Sequence, residues 1–183
     1  MEEVLSSGAS RVRVQTLGAR AVRITHLPAD GSIPEDRPWL KYVLRQGSDE
    51  TPTQLRVEQR DGRVAVHART GECVFSEARQ ARIEEDGSVV MAFSTGQNEG
   101  FYGGGEWFNA FRRRKGRLHL WSRDSPAVLQ SRRTYSNIPY FLSSRGYGLL
   151  LLNSHESTWE LDPEKGELRV KAAGPPADYV LIY

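Results

Sequence analysis

Short runs in which apolar and polar residues alternate recur along this chain, and few folds accommodate that pattern. Val12 and Val14 alternate with Arg11 and Arg13, Val22 and Ile24 with Arg23 and Thr25, and Leu40, Tyr42 and Leu44 with Lys41 and Arg45. A period of two sends successive side chains to opposite faces, as in a half-buried strand. Leu55 and Val57 are matched by Val64 and Val66 across Asp61-Gly62. Asp-Gly suits a type I′ hairpin turn, whose two central residues both need positive φ. Asp86-Gly87 repeats the signal between Ile83 and Val89–Phe93. Further strands are expected at 118–122, 138–142, 147–153, 158–161, 168–172 and 179–183. Arg145-Gly146, Lys165-Gly166 and Gly174-Pro175-Pro176 separate several of them. No apolar stripe of helical period exceeds two turns. Many short strands at this spacing predict an all-β, antiparallel β-sandwich with few or no helices. Residues 28–38, with Pro28, Gly31, Pro34 and Pro38, read as an irregular surface loop.

Size and charge narrow the function. A chain of 183 residues fits a single domain over residues 1–183. Its 38% hydrophobic and 26% charged residues are those of a folded domain. A net charge of only +2 gives no general attraction for polyanions, so nucleic acid is not an expected partner. Cys73 is the single cysteine and forms no intrachain disulfide. The first residues show no basic segment followed by an apolar stretch, and the longest apolar run, Leu149–Leu152, is far too short to span a bilayer. A cytoplasmic location and no membrane association are the expectations.

Several clusters invite chemistry. Tyr102-Gly103-Gly104-Gly105-Glu106 has the glycines of a tight backbone approach but neither phosphate-loop spacing. Arg112-Arg113-Arg114-Lys115-Gly116-Arg117 reads as a solvated hairpin tip, with an anion site and, beside Trp107, Phe108 and Phe111, a nucleic-acid contact as alternatives. Trp39, Trp107, Trp121 and Trp159 serve either packing or stacking on sugar faces, and packing is favoured. Pro139 near a strand start removes one ladder donor, which suits an edge or a bulge. His26, His67, His119 and His155 are scattered without metal-ligand spacing, so neither metal nor cofactor is expected.

Taken in order, Phe101–Phe108, Leu120–Pro126, Tyr135–Ser143 and Ser144–Gly148 are similar to the N-terminal β-sandwich domain of glycoside hydrolase family 31, the α-glucosidases and α-xylosidases. Gly104 stands where that family usually has Leu, and Tyr140 where it has Phe. The resemblance implies a galactose mutarotase-like supersandwich packed against a (β/α)8 catalytic barrel that follows it and is absent from this chain. It also implies retaining hydrolysis of α-linked oligosaccharides or glycosides by two barrel aspartates, so no catalytic residue is expected here. Asp124 takes the place of the aspartate that a loop carries into the barrel mouth to hold sugar hydroxyls, with a surface salt bridge to a nearby arginine as the alternative, and residues 125–134 would be that loop. Glu106 would order the adjoining backbone. The same sandwich serves sugar mutarotases, which use a paired histidine and glutamate; no such pair is legible in this sequence. A stand-alone carbohydrate-binding module resting on Trp107 or Trp121 remains the alternative.

Overall fold

The computed structural model describes residues 1–28, 32, 35–44, 52–122 and 134–183. In chain order these form β1 (Glu2–Ser7), β2 (Ser10–Thr16), β3 (Ala21–His26), α1 (Leu40–Val43), β4 (Leu55–Arg60), β5 (Arg63–Ala68), β6 (Cys73–Ile83) and β7 (Val89–Ser94). They continue with β8 (Phe101–Gly105), β9 (Gly116–Leu120), β10 (Asn137–Ser143), β11 (Gly148–Leu151), β12 (Ser157–Asp162), β13 (Glu167–Ala172) and β14 (Asp178–Ile182). One sheet runs β1-β2-β3-β14-β11-β10-β8 and the other β4-β5-β6-β7-β13-β12-β9. Their pairings are antiparallel. The expected sandwich is present.

Its interior follows from the alternation. Val12, Val14, Val22, Ile24, Leu149 and Leu181 of the first sheet meet Val66, Phe75, Met91, Phe93 and Val170 of the second in one buried cluster. Phe75 and Phe93 of the second sheet pack against Tyr179 of the first with ring centroids 5.8 and 5.2 Å away. The last strand is central: β14 lies between β3 and β11, so closing the first sheet requires nearly the whole chain.

Two turns separate residues that looked alike in sequence. At Asp61-Gly62 both φ angles are positive, 51° and 73°, as a type I′ turn requires. At Asp86-Gly87 only Gly87 is positive, at 78°. There the Gly87 N–H donates to Glu84 O, and the Glu84 N–H to Ser88 O, which makes a three-residue hairpin loop rather than a repeat of the first turn.

The strand expected through Leu40, Tyr42 and Leu44 is instead a single helical turn. Leu40 is buried with Leu152 and Val180 on the outer face of the first sheet, with Trp39 and Leu44 packed around them, while Tyr42 is 81% exposed. The spacing of four between Leu40 and Leu44 served a helix turn capping that face, and the period of two was coincidental. Beneath the same cover, Arg23 forms a bidentate pair with Asp178 at 3.0 and 2.6 Å, and Thr25 adds a hydroxyl at 3.1 Å. Asp36 reaches Arg23 at 2.8 Å, so the described part of the 28–38 loop is docked on the sheet. Burial lifts the Asp178 carboxyl above the usual range, against the opposing pull of Arg23 and Thr25.

Candidate functional site

Three of the sequence motifs meet at one end of the sandwich. Strand β9 of the second sheet ends at Leu120 and β10 of the first begins at Asn137, so the chain changes sheets between them. Arg123, Asp124, Ser125 and Pro126 lie outside the described residues, as does the rest of 123–133. The flanks of that segment are hydrogen-bonded to one another. The Asn137 side-chain amide donates to Thr134 O at 2.8 Å and reaches Ser122 Oγ at 3.4 Å. Buried Thr134 accepts the Ser136 N–H on its Oγ1 at 3.2 Å. The Glu106 N–H donates to Ser136 O at 2.9 Å, and Asn137 pairs with Gly105 across β8 and β10. Thus 101–106, 120–122 and 134–139 form the root from which Asp124 departs.

The glycine run is what lets these strands touch. Gly103, Gly104 and Gly105 all have positive φ, at 119°, 88° and 105°. A Cβ on Gly103 would lie 2.5 Å from Tyr140 O, on Gly104 2.6 Å from the Phe141 ring, and on Gly105 2.0 Å from Ser136 O. Gly104 therefore leaves room for Phe141, whose ring lies 4.6 Å from that of Trp159. The run is strand β8, which composition alone conceals because glycine is depleted in strands. The β8–β10 register shifts between Asn137 and Phe141, around Pro139, so the expected irregularity is a bulge in an internal strand.

Of the neighbouring charges, the fold buries Glu99 and Arg113. Glu106 is exposed, and its backbone N–H makes the contact to Ser136. The carboxylate that orders backbone here is Glu99. It accepts the Gly96 N–H at 2.7 Å and the Tyr147 hydroxyl at 2.6 Å, and it also takes the Ser143 hydroxyl. Burial, then the Glu99 charge, pushes the Tyr147 phenol far above its ordinary value. The arginine run is exposed at Arg112, Arg114, Lys115 and Arg117, as expected of a solvated tip, but not at Arg113. Arg113 is 8% exposed, pairs with Phe101 through both backbone groups, and donates to Asn109 Oδ1 at 3.1 Å and to Ala110 O. Burial lowers its pKa. Arg112 and Arg114 both hold Asn98.

Of the tryptophans, Trp159 is core and Trp39 covers the small outer cluster. Trp107 packs against the main core and donates to Gly104 O at 3.0 Å, whereas Trp121 at the root is 39% exposed. Near the root, Phe108, Phe111, Tyr135, Ile138 and Leu142 are exposed, with Phe111 against Tyr102. Ile138 and Leu142 lie on the outer face of β10, opposite buried Phe141. The outer face of the second sheet presents Arg117, His119, Glu160, Arg169 and Lys171. The outer face of the first sheet is apolar along β10 and carries the Arg23–Asp178 pair along β3 and β14, whereas the exposed side chains of β9, β12 and β13 are largely charged.

A histidine–glutamate pair does exist: His26 Nε2 lies 2.6 Å from Glu77 Oε1. Glu77 also accepts the Tyr179 hydroxyl at 2.9 Å and the Val64 N–H at 2.9 Å, and its side chain is fully buried. Sequence reading missed it because the two residues are 51 positions apart on different sheets. With its carboxylate enclosed and occupied, the pair joins the sheets. His26 borders a cavity of about 550 Å³ whose lining includes Arg23, Arg37, Arg82 and Asp178. The polar groups there are turned on one another: Arg23 on Asp178, His26 on Glu77, and Arg37 on Ser154 Oγ and Pro175 O.

The two-sheet sandwich with its glycine-bound strand has relatives among known proteins. Residues 10–160 match the glycosyl hydrolase 31 N-terminal galactose mutarotase-like domain, and the chain belongs to that family. It is 28% identical over 100 residues to an α-xylosidase of Emericella nidulans, covering 54% of this chain and 13% of the relative. It is 28% identical over 151 residues to an isomaltosyltransferase of Sporosarcina globispora, covering 76% and 13%. In fold it is similar to a family 31 dextranase of Flavobacterium johnsoniae solved with isomaltotriose, at TM-score 0.78 and 16% identity, covering 100% of this chain and 26% of that one. The chain therefore spans about an eighth of those two curated relatives.

Proposed function

We propose that this chain acts as the non-catalytic N-terminal domain of a longer retaining α-glycoside hydrolase, supporting a following catalytic barrel and lending Asp124 to the substrate-binding rim. The observation that carries the reading is the root. The two flanks of the segment bearing Asp124 meet at the Asn137 amide and pack on β8, and the fold devotes three consecutive positive-φ glycines to that junction. Function sited on a loop held by a rigid scaffold is the usual division of labour. A carboxylate suits a rim contact because its two acceptor oxygens can bridge adjacent sugar hydroxyls.

The apolar outer face near the root, with Ile138, Leu142 and Phe111, is the surface on which the barrel would rest, since the other outer face is charged. The substrate would be an α-linked oligosaccharide or glycoside, and the setting cytoplasmic. A free-standing sugar-binding module is less favoured because Trp107 is spent on Gly104 and the core. A nucleic-acid surface is less favoured because Arg113 is buried and Arg112 and Arg114 hold Asn98. In the full-length polypeptide, Asp124→Ala should lower kcat/KM on aryl α-glycosides, through affinity or turnover. Unchanged kinetics would reject the rim role.

A further inference from the structure

We propose that the outer face of the second sheet carries a binding site for a small oxyanion, a phosphate, sulfate or carboxylate group, held by Arg79, Arg82 and Arg169. The site is centred on β7. Val89, Met91 and Phe93 of that strand enter the core, so Val90 and Ala92 point outward, yet they are only 7% and 3% exposed. Long cationic side chains flank them. Arg79 of β6 and Arg169 of β13 are both register partners of Ala92, and Arg82 and Lys171 are both partners of Val90. Such side chains lay their apolar stems along apolar surface and keep their charged heads in water. Between them runs a groove of about 70 Å³, whose lining joins Val90 and Ala92 to Arg79, Gln80, Arg82 and Arg169.

Three guanidinium groups share this lining with one carboxylate, Glu167. The Glu167 side chain is nearly buried and lies 3.0 Å from Arg79 Nη2, so the Arg79 side chain reaches across β7. Arg82 Nε donates to Glu84 at 2.7 Å. Among the described residues Arg169 makes no ion pair, and Glu160, its register partner on β12, also stands opposite Arg117. Exposed ion pairs contribute little, so an incoming oxyanion can share Arg79 and Arg82 at small cost. Guanidinium is weakly hydrated and offers paired N–H donors that match an oxyanion. A second groove of about 100 Å³ also includes Arg79 and Arg169 and continues to Glu160, Asp162 and Lys165. Carboxylates accept from hydroxyls, so there is a place there for a sugar that bears the oxyanion.

The test is NMR titration of the 183-residue chain with sodium phosphate, against sodium chloride at equal ionic strength, read at the arginine Nε–H signals. Phosphate should shift Arg79, Arg82 and Arg169 saturably, with one ion per chain, and chloride should not. Arg79→Gln and Arg169→Gln should each weaken phosphate binding about tenfold or more, the loss of a charge-assisted contact. Arg60→Gln, on the exposed edge strand β4, should leave it unchanged. Shifts that never saturate, that follow ionic strength alone or that survive Arg169→Gln would overturn the site, as would equal weakening by Arg60→Gln. Should Arg79→Gln fail to fold because Glu167 loses its partner, Arg169→Gln decides alone. Glucose 6-phosphate and glucose identify the source of the oxyanion. Tighter binding of glucose 6-phosphate than of phosphate assigns the second groove to a sugar, and equal affinity assigns the site to the free ion. Glucose that shifts the three arginines as strongly as phosphate does would overturn the oxyanion chemistry.

Discussion

The Tyr179 hydroxyl in the middle of one sheet donates to Glu77 Oε1 in the other at 2.9 Å, with His26 Nε2 2.6 Å from the same oxygen. The second oxygen accepts the Val64 N–H at 2.9 Å. Tyr179 and Val64 are donors, and the short His26 contact makes its Nε2 a donor too, so the site needs a group that only accepts. Burial, followed by the Glu77 charge, drives the Tyr179 phenol well above its ordinary pKa and keeps it a donor.

Replacing Glu77 by Gln would turn an N–H donor toward one of these donors. Glu77→Gln is expected to cost about 2–3 kcal/mol of stability, and Tyr179→Phe, which leaves the carboxylate two partners, about 1 kcal/mol. Urea unfolding of the two variants checks the order. A Gln variant as stable as the Phe variant would remove the cross-sheet role from Glu77.

Gly105→Ala should be much worse than Gly71→Ala. Both positions have positive φ, 105° and 90°, and both pay the backbone penalty of about 1–2 kcal/mol. Only at Gly105 would the new Cβ sit 2.0 Å from a backbone oxygen, while at Gly71 nothing lies within 4 Å. Thermal unfolding should show a modest loss for Gly71→Ala and a loss at least twice as large for Gly105→Ala. Equal losses would mean that close approach to Ser136 does not govern the glycine run.

Such contrasts show what the sequence could carry. β2, β3 and the β4–β5 hairpin were legible because their inward valines and leucines alternate with charges. β1 left no signal because it is a largely exposed edge strand with little to bury. β8 was hidden because its glycines answer to β10, about forty residues later in the chain. Arg113 looked like its solvated neighbours, and only the bridge to Phe101 buries it. At the candidate site the Asn-Ile-Pro segment was visible as a motif. The contacts of Asn137 were not, since they depend on Ser122 and Thr134, on either side of 123–133, meeting at one amide.

The loop between β6 and β7 gives a pH signature. The Ser88 side chain, its backbone N–H and Lys171 hold the exposed Asp86 carboxyl down at about 2. The unfolded chain would titrate near 3.9. A depressed folded value means that the stabilisation is fully present above the unfolded pKa and is lost as pH falls from about 4 toward about 2. NMR titration of the Asp86 carboxyl should give a midpoint well below 3, and Ser88→Ala should move it upward. An unshifted midpoint would discard the Ser88 cap.

The role proposed for this sandwich is that of a support, with cleavage carried out by the rest of a longer protein. The 183-residue chain and the longer polypeptide proposed to carry it should be assayed side by side on p-nitrophenyl α-glucoside and α-xyloside. Turnover is expected of the longer polypeptide and none of the chain alone. Sustained hydrolysis by the purified chain, unaffected by removal of contaminating glycosidases, would contradict it.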